Sequence, residues 1–159
     1  MKKVIIPFLC FTVVQVFAVY FFARMNQPKI VYADAIRLFD EYKFKTDMEK
    51  MAEGTLRQLK GELDSVQVLL KVNPQDPRAQ QLVSEGQSRL TQAYSNINKE
   101  INEKAWARLN PVINKFGKDN KIDLLIGANG MGTVLYANDT RDVTADLIIY
   151  ANKIYEKGD

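Results

Sequence analysis

The chain contains no histidine, and its only cysteine is Cys10. The first absence removes the Ser-His-Asp and Cys-His nucleophile systems, together with histidine-ligated zinc and haem. The second removes any intrachain disulfide, and Cys10 has no thiol or imidazole partner with which to hold a metal. An excess of charge of one sign is also lacking, with a net charge of only +3 over 159 residues. No basic run interleaved with aromatic residues is present, so no nucleic-acid partner is read. Gly127, Gly130 and Gly132 lie close together, but no Lys-Ser/Thr pair follows them, so they mark a turn and not a phosphate cradle. The many carboxylates sit on solvated helix faces. No catalytic constellation, metal site or cofactor site is expected, and the chain is not read as an enzyme.

What the sequence does have is helical periodicity. Residues 34–116 read as one long antiparallel helical hairpin, bent back at Asn73-Pro74-Gln75-Asp76-Pro77. In the outgoing arm Ala52, Leu56, Leu59, Leu63, Val66 and Leu70 step by 4, 3, 4, 3, 4, the spacing of a coiled-coil seam. In the returning arm Leu90, Tyr94, Ile97 and Ile101 step by 4, 3, 4, and Ala105, Leu109, Val112 and Phe116 continue the stripe after a stutter. Arms of roughly 35 to 40 residues would reach about 55 Å, too long for one compact body of this size. Asp34 is the expected cap of the outgoing helix and Asp76 that of the returning one, with Pro77 in its first turn. Gly54, Gly61 and Gly86 lie inside the arms and lower their helical stability. Pro111 interrupts the returning arm and is the expected hinge, a kink and not an end, because Val112, Ile113 and Phe116 restore the apolar face beyond it.

The flanks read differently. Residues 4–23 form an uncharged, largely apolar run behind Lys2 and Lys3, long enough to span a bilayer as a helix. A retained anchor is preferred over a cleaved secretory signal, although Val16-Phe17-Ala18 is a passable cleavage triplet. Either way the remainder is expected beyond the membrane. Three short strands are expected, centred on Ile30, Val31 and Tyr32, on Leu124, Leu125 and Ile126, and on Val134, Leu135 and Tyr136. The last two are expected as an antiparallel pair over 122–126 and 133–137. A final helix follows, with Thr144 as its cap and a stripe of Leu147, Ile148, Ala151, Ile154 and Tyr155 lying across the sheet. Ile36, Leu38, Phe39 and Tyr42 are expected to pack on this body, and Trp106 to pack at the root of the arm. The expected fold class is α+β, a coiled-coil tentacle on a small β-sheet body with a C-terminal helix. Residues 1–28 are signal or anchor plus linker, 29–47 and 109–159 the body, and 48–108 the tentacle.

This arrangement resembles the Skp (OmpH-like) family of periplasmic chaperones over residues 29–157. The residues that carry the resemblance are 29–34 with Leu38-Phe39 and Tyr42 at the front. At the back they are 122–126, Asn129-Gly130, 134–137 and Asp142-Val143-Thr144. The resemblance implies a homotrimer whose arms enclose a cavity that holds unfolded outer-membrane β-barrel proteins without ATP. It places the protein in the periplasm, tethered to the inner membrane through residues 4–23 if they are kept and free in the periplasm if they are cleaved. Three short strands with open edges in each protomer agree with trimerisation. The competing reading is a membrane-anchored structural or adaptor coiled-coil subunit of a larger envelope complex.

Overall fold

The computed structural model describes residues 27–158, together with Gln15, Phe17, Tyr20 and Phe21. The predicted span at 4–23, its cleavage triplet and Cys10 therefore lie, apart from those four residues, outside the described residues. Among the described residues no helix is long and apolar enough to cross a membrane. The fold is mostly helical with a small two-stranded parallel sheet: β1 (Ile30–Asp34), α1 (Ala35–Asp40), α2 (Lys43–Val72), α3 (Pro77–Asp119), β2 (Leu124–Ala128), a 3-10 turn (Asp139–Arg141) and α4 (Thr144–Glu156).

Asp34 starts α1 as expected, its Oδ1 accepting the amides of Ile36 and Arg37 at 3.0 Å each. The helix does not run on into the arm, however, but breaks at Glu41 and Tyr42. The break is held by a residue far away in sequence. The Asn152 side chain accepts the Lys43 amide at 2.8 Å and donates to the Glu41 carbonyl at 3.0 Å. One amide side chain thus satisfies orphan groups of two helix ends, which lets Tyr42 turn inward to 1% exposure.

α2 has 30 residues and α3 has 43, lengths of about 45 and 65 Å at 1.5 Å per residue. Residues 73–76 join them. Asp76 caps α3 by accepting the amides of Arg78 at 2.9 Å and Ala79 at 3.4 Å, and Pro77 occupies the first turn. α3 runs through Pro111, which has no amide hydrogen to give the Ala107 carbonyl.

The sheet departs from expectation in three ways. β1 and β2 pair in parallel, with Ile30 opposite Leu124, Val31 opposite Leu125 and Tyr32 opposite Ile126. β2 extends to Gly127 and Ala128, which were expected in the turn. Residues 133–137 form no strand, so Val134, Leu135 and Tyr136 are not part of the sheet and the expected antiparallel pair is absent. The other side of β1 is taken instead by Asp142 and Val143, the Val143 amide donating to the Tyr32 carbonyl at 2.9 Å. The intervening segment folds on itself: Asn129 Oδ1 accepts from the Met131 amide and the Thr133 hydroxyl, and Gly130 and Gly132 have φ of 71° and 92°. Strand composition alone does not make a strand, because it describes a segment that fits a pleated surface only once it is paired with a neighbour.

The core lies where the helices meet the sheet. Ala33, Leu38, Tyr42, Ala105, Leu109, Val112, Phe116, Leu147, Ile148 and Ala151 are all buried in one cluster. α4 packs on α1, α2, α3 and β1. Thr144 is not its cap but its first residue, 1% exposed. The Thr144 hydroxyl accepts the Asp34 amide at 2.8 Å and donates to Asp142 Oδ1, which also takes the Thr144 amide at 2.8 Å. Asp142 therefore does the work expected of Thr144, and ties the start of α4 to the end of β1.

Candidate functional site: the arms, their root and the sheet edge

In α2 the predicted seam is the packed face. Ala52, Leu56, Leu59, Val66 and Leu70 are half-buried and Leu63 is buried at its centre. In α3 Leu90 and Ile97 are half-buried and Ile101 is buried, but Tyr94 is 45% exposed. Ala93 is half-buried beside it. The packed residues Ala79, Val83, Gly86, Leu90, Ala93 and Ile97 step by 4, 3, 4, 3, 4, an unbroken match to the outgoing arm. The signal was present in the sequence but hidden, because small residues carry half of it and Tyr94 is the larger apolar neighbour. The small residues have a steric purpose. A Cβ on Gly86 would lie 3.0 Å from Leu63 Cδ1, so the two helices approach closely where the seam has no side chain.

Outside the seam the arms carry charged pairs one turn apart, such as Glu100 with Lys104 at 2.6 Å and Glu85 with Arg89 at 3.5 Å. Between them several large apolar side chains face solvent: Met51 at 80% exposure, Val72 at 81%, Leu69 at 60% and Val68 at 57%. Val68, Leu69 and Val72 share the last turns of α2.

The root of the arms is aromatic and cationic. Trp106 stacks on Phe39 with centroids 5.1 Å apart and planes 10° from parallel, and the Lys45 ammonium lies 5.4 Å from the Phe39 ring. The Arg108 guanidinium lies 5.1 Å from the rings of both Phe44 and Tyr155. Asp47 accepts from the Tyr155 hydroxyl at 3.0 Å, and Asp119 from the Tyr150 hydroxyl at 2.5 Å. The bond to Asp119 pushes the Tyr150 phenol up to about 12. Burial also raises Tyr42, against the opposing pull of the Arg108 cation. At Asp142 burial favours the neutral acid, but the bonds from Thr144 outweigh it and hold the carboxyl below its ordinary range.

At the sheet, Val31 is buried and Leu125 half-buried toward the core, whereas their neighbours Ile30 and Leu124 are 42% and 50% exposed and lie opposite each other. Tyr32 and Ile126 are half-buried, as is Val134. Leu135 and Tyr136 project into solvent, 93% and 88% exposed. Among the described residues β2 has β1 as its sole strand neighbour, so its outer edge is open. No group of three or more Asp, Glu, Cys or His side chains that could hold a metal occurs among the described residues. Comparison with known protein families and with curated proteins returns no match.

Proposed function

We propose that the protein is an ATP-independent holdase chaperone of the Skp (OmpH-like) type. It acts in the periplasm and binds unfolded outer-membrane β-barrel proteins between arms formed by α2 and α3 as an antiparallel hairpin. Three protomers assemble through the sheet edge. The observation that carries the reading is the pairing of two very long helices with a body whose buried cluster ends near Ala105. Most of α2 and the first half of α3 extend past that core. They present charged faces interrupted by exposed apolar residues, Met51 alone and Val68, Leu69 and Val72 together. Such a surface offers many weak contacts, whose combined effect suits an unfolded chain. The exposed Ile30, Leu124, Leu135 and Tyr136 beside an open strand edge support assembly, since edges of this kind are normally covered.

The test is dilution of a urea-unfolded outer-membrane β-barrel protein into buffer with the purified chain, without nucleotide, followed by light scattering. Aggregation should fall to a floor near one client per three chains. Scattering unchanged at a tenfold excess of chain would refute the holdase reading. A monodisperse folded monomer in size-exclusion with light scattering would refute the trimer.

A further inference from the structure

The outward face of α2 carries a second heptad stripe. Met51, Gln58, Ser65 and Val72 recur every seven residues, and Gly54, Gly61 and Val68 do so between them, so the steps run 3, 4, 3, 4, 3, 4. All of these positions are exposed. The seam that α2 turns to α3 is a different set, from Ala52 to Leu70, and at 3.6 residues per turn the two stripes lie on nearly opposite sides of the helix. No residue of the outward stripe is charged. The exposed lines beside it are, with Lys50, Arg57, Asp64 and Lys71 on one side and Thr55, Glu62 and Leu69 on the other. The two polar members of the stripe bond along their own helix: the Ser65 hydroxyl donates to the Gly61 carbonyl at 2.8 Å, and the Gln58 amide to Glu62 at 3.1 Å. The stripe can therefore be covered without stranding the Ser65 hydroxyl.

We propose that this stripe is a second seam, through which the α2 helices of three copies of the chain pack in parallel when no client is held. The inference rests on the trimeric holdase reading. Charge complementarity names the occupant. The charged lines take the g and e positions of the stripe, and in a parallel coil each g side chain meets the following e side chain of the neighbouring helix. Arg57 then meets Glu62 of the next copy, Lys50 meets Thr55 and Asp64 meets Leu69, with no like charges facing. Neither Arg57 nor Glu62 takes part in an ion pair among the described residues. An antiparallel copy would set the line of Lys50, Arg57, Asp64 and Lys71 against itself. Every register that overlaps most of the stripe then faces Lys50 with Lys71, or Arg57 or Asp64 with its own copy, and like charges repel. Parallel is also the sense in which arms leaving one trimeric body run side by side. Closure takes Met51, Val68 and Val72 out of water, whereas Gly54 and Gly61 add no side chain to bury. The closed state is thus weak, and an unfolded client that covers the same apolar residues shifts the arms open.

The test is disulfide cross-linking of the purified full chain carrying Cys10→Ser. A parallel, in-register bundle brings the same position of each copy together. Met51→Cys and Val72→Cys, at opposite ends of the stripe, should therefore each form an intermolecular disulfide on mild oxidation. Lys60→Cys, exposed but off the stripe, should not. Arg57→Glu and Glu62→Arg should each lower the yield at Val72→Cys about fivefold or more, and the two together should restore it. Equal yields at positions 60 and 72, or no rescue by the double swap, would overturn the proposal. So would disulfides that form only when Met51→Cys and Val68→Cys chains are mixed, the mark of antiparallel pairing. An excess of an unfolded outer-membrane β-barrel protein should lower the yield, and a yield unchanged while aggregation of that client is suppressed would overturn the closure. A trimer by light scattering that gives no disulfide at either end refutes the paired arms and leaves the holdase reading intact. Disulfides in a trimer that suppresses no aggregation keep the seam and refute the holdase, and a monomer refutes both.

Discussion

The three glycines of the arms should respond to alanine in opposite directions. A methyl group at Gly54 or Gly61 meets nothing within 4 Å. Each substitution therefore brings the intrinsic preference of alanine over glycine in a helix interior, about 0.8–1 kcal/mol, with no steric cost. At Gly86 the same preference applies, but the new Cβ would lie 3.0 Å from Leu63 Cδ1 and 3.8 Å from Leu63 Cβ. Leu63 is 8% exposed at the middle of the seam, so it can escape only by leaving its rotamer or by pushing α2 from α3. Overpacking of this kind costs about 1–3 kcal/mol, which cancels or exceeds the gain. Gly86→Ala should thus fall between neutral and about 2 kcal/mol destabilised. Urea melts followed by helical circular dichroism give the global values. Hydrogen exchange across residues 55–95 reads the effect locally, because proteins open in parts as well as globally. A Gly86→Ala variant as stabilised as Gly61→Ala would show that the helices do not meet at Leu63, and the close approach described above would be wrong.

Three further outcomes follow from the body. Asn152→Ala removes the cap of α2 and strands the Glu41 carbonyl, at a cost of about 1–3 kcal/mol for one cap and one hydrogen bond; a midpoint within about 2 °C of wild type in thermal melts would contradict it, whereas Leu135→Ser, at a 93% exposed position, should be silent in the same melts at a dilution where only monomer is present. Tyr150 titrates near 10 unfolded and is pushed up to about 12 when folded, so the folded chain holds more protons between those values and its stability must fall as pH rises through that window; Tyr150→Phe should flatten that part of the pH–stability profile, and an unchanged slope would remove Asp119 as the cause.

The long-range periodic features were legible in the sequence because each is determined by its own neighbourhood. The Asp34 and Asp76 caps, the Pro77 start and the α2 seam from Ala52 to Leu70 are all where local spacing puts them. The features that were not legible depend on partners far away in the chain. Nothing near Glu41 announces a helix break, because the amide group that stabilises it belongs to Asn152. Thr144 looked like a cap by composition, yet it is drawn into the body by the Asp34 amide, and Asp142 takes over the capping. Tyr94 outranked Ala93 by size, but packing density between two helices is set by what fits and not by what is most apolar. The neighbourhood of Val112 and Ile154 could not be read at all, since they lie 42 residues apart and line one groove only through the fold.

Residues 133–137 make the same point in the other direction. Their run of Thr, Val, Leu, Tyr and Ala has strand composition, and the structure leaves it without a strand. Composition of this sort describes a segment that fits a pleated, half-buried surface, and such a surface must be supplied by a neighbour. Within one protomer β1 is already covered on both sides, by β2 and by Asp142, and the turn at Gly130 and Gly132 leads the chain away from the outer edge of β2. Two needs are then unmet in the same small body: an open strand edge and a β-prone segment with two large side chains in water. In a single chain both stay unmet, with Leu135 and Tyr136 93% and 88% exposed. The proposed trimer satisfies both where the 133–137 segment of one protomer lies against the β2 edge of the next. The unpaired segment is therefore what a proposed trimer would require of its protomer, and a chain with 133–137 already paired to its own β2 would have no edge left to offer.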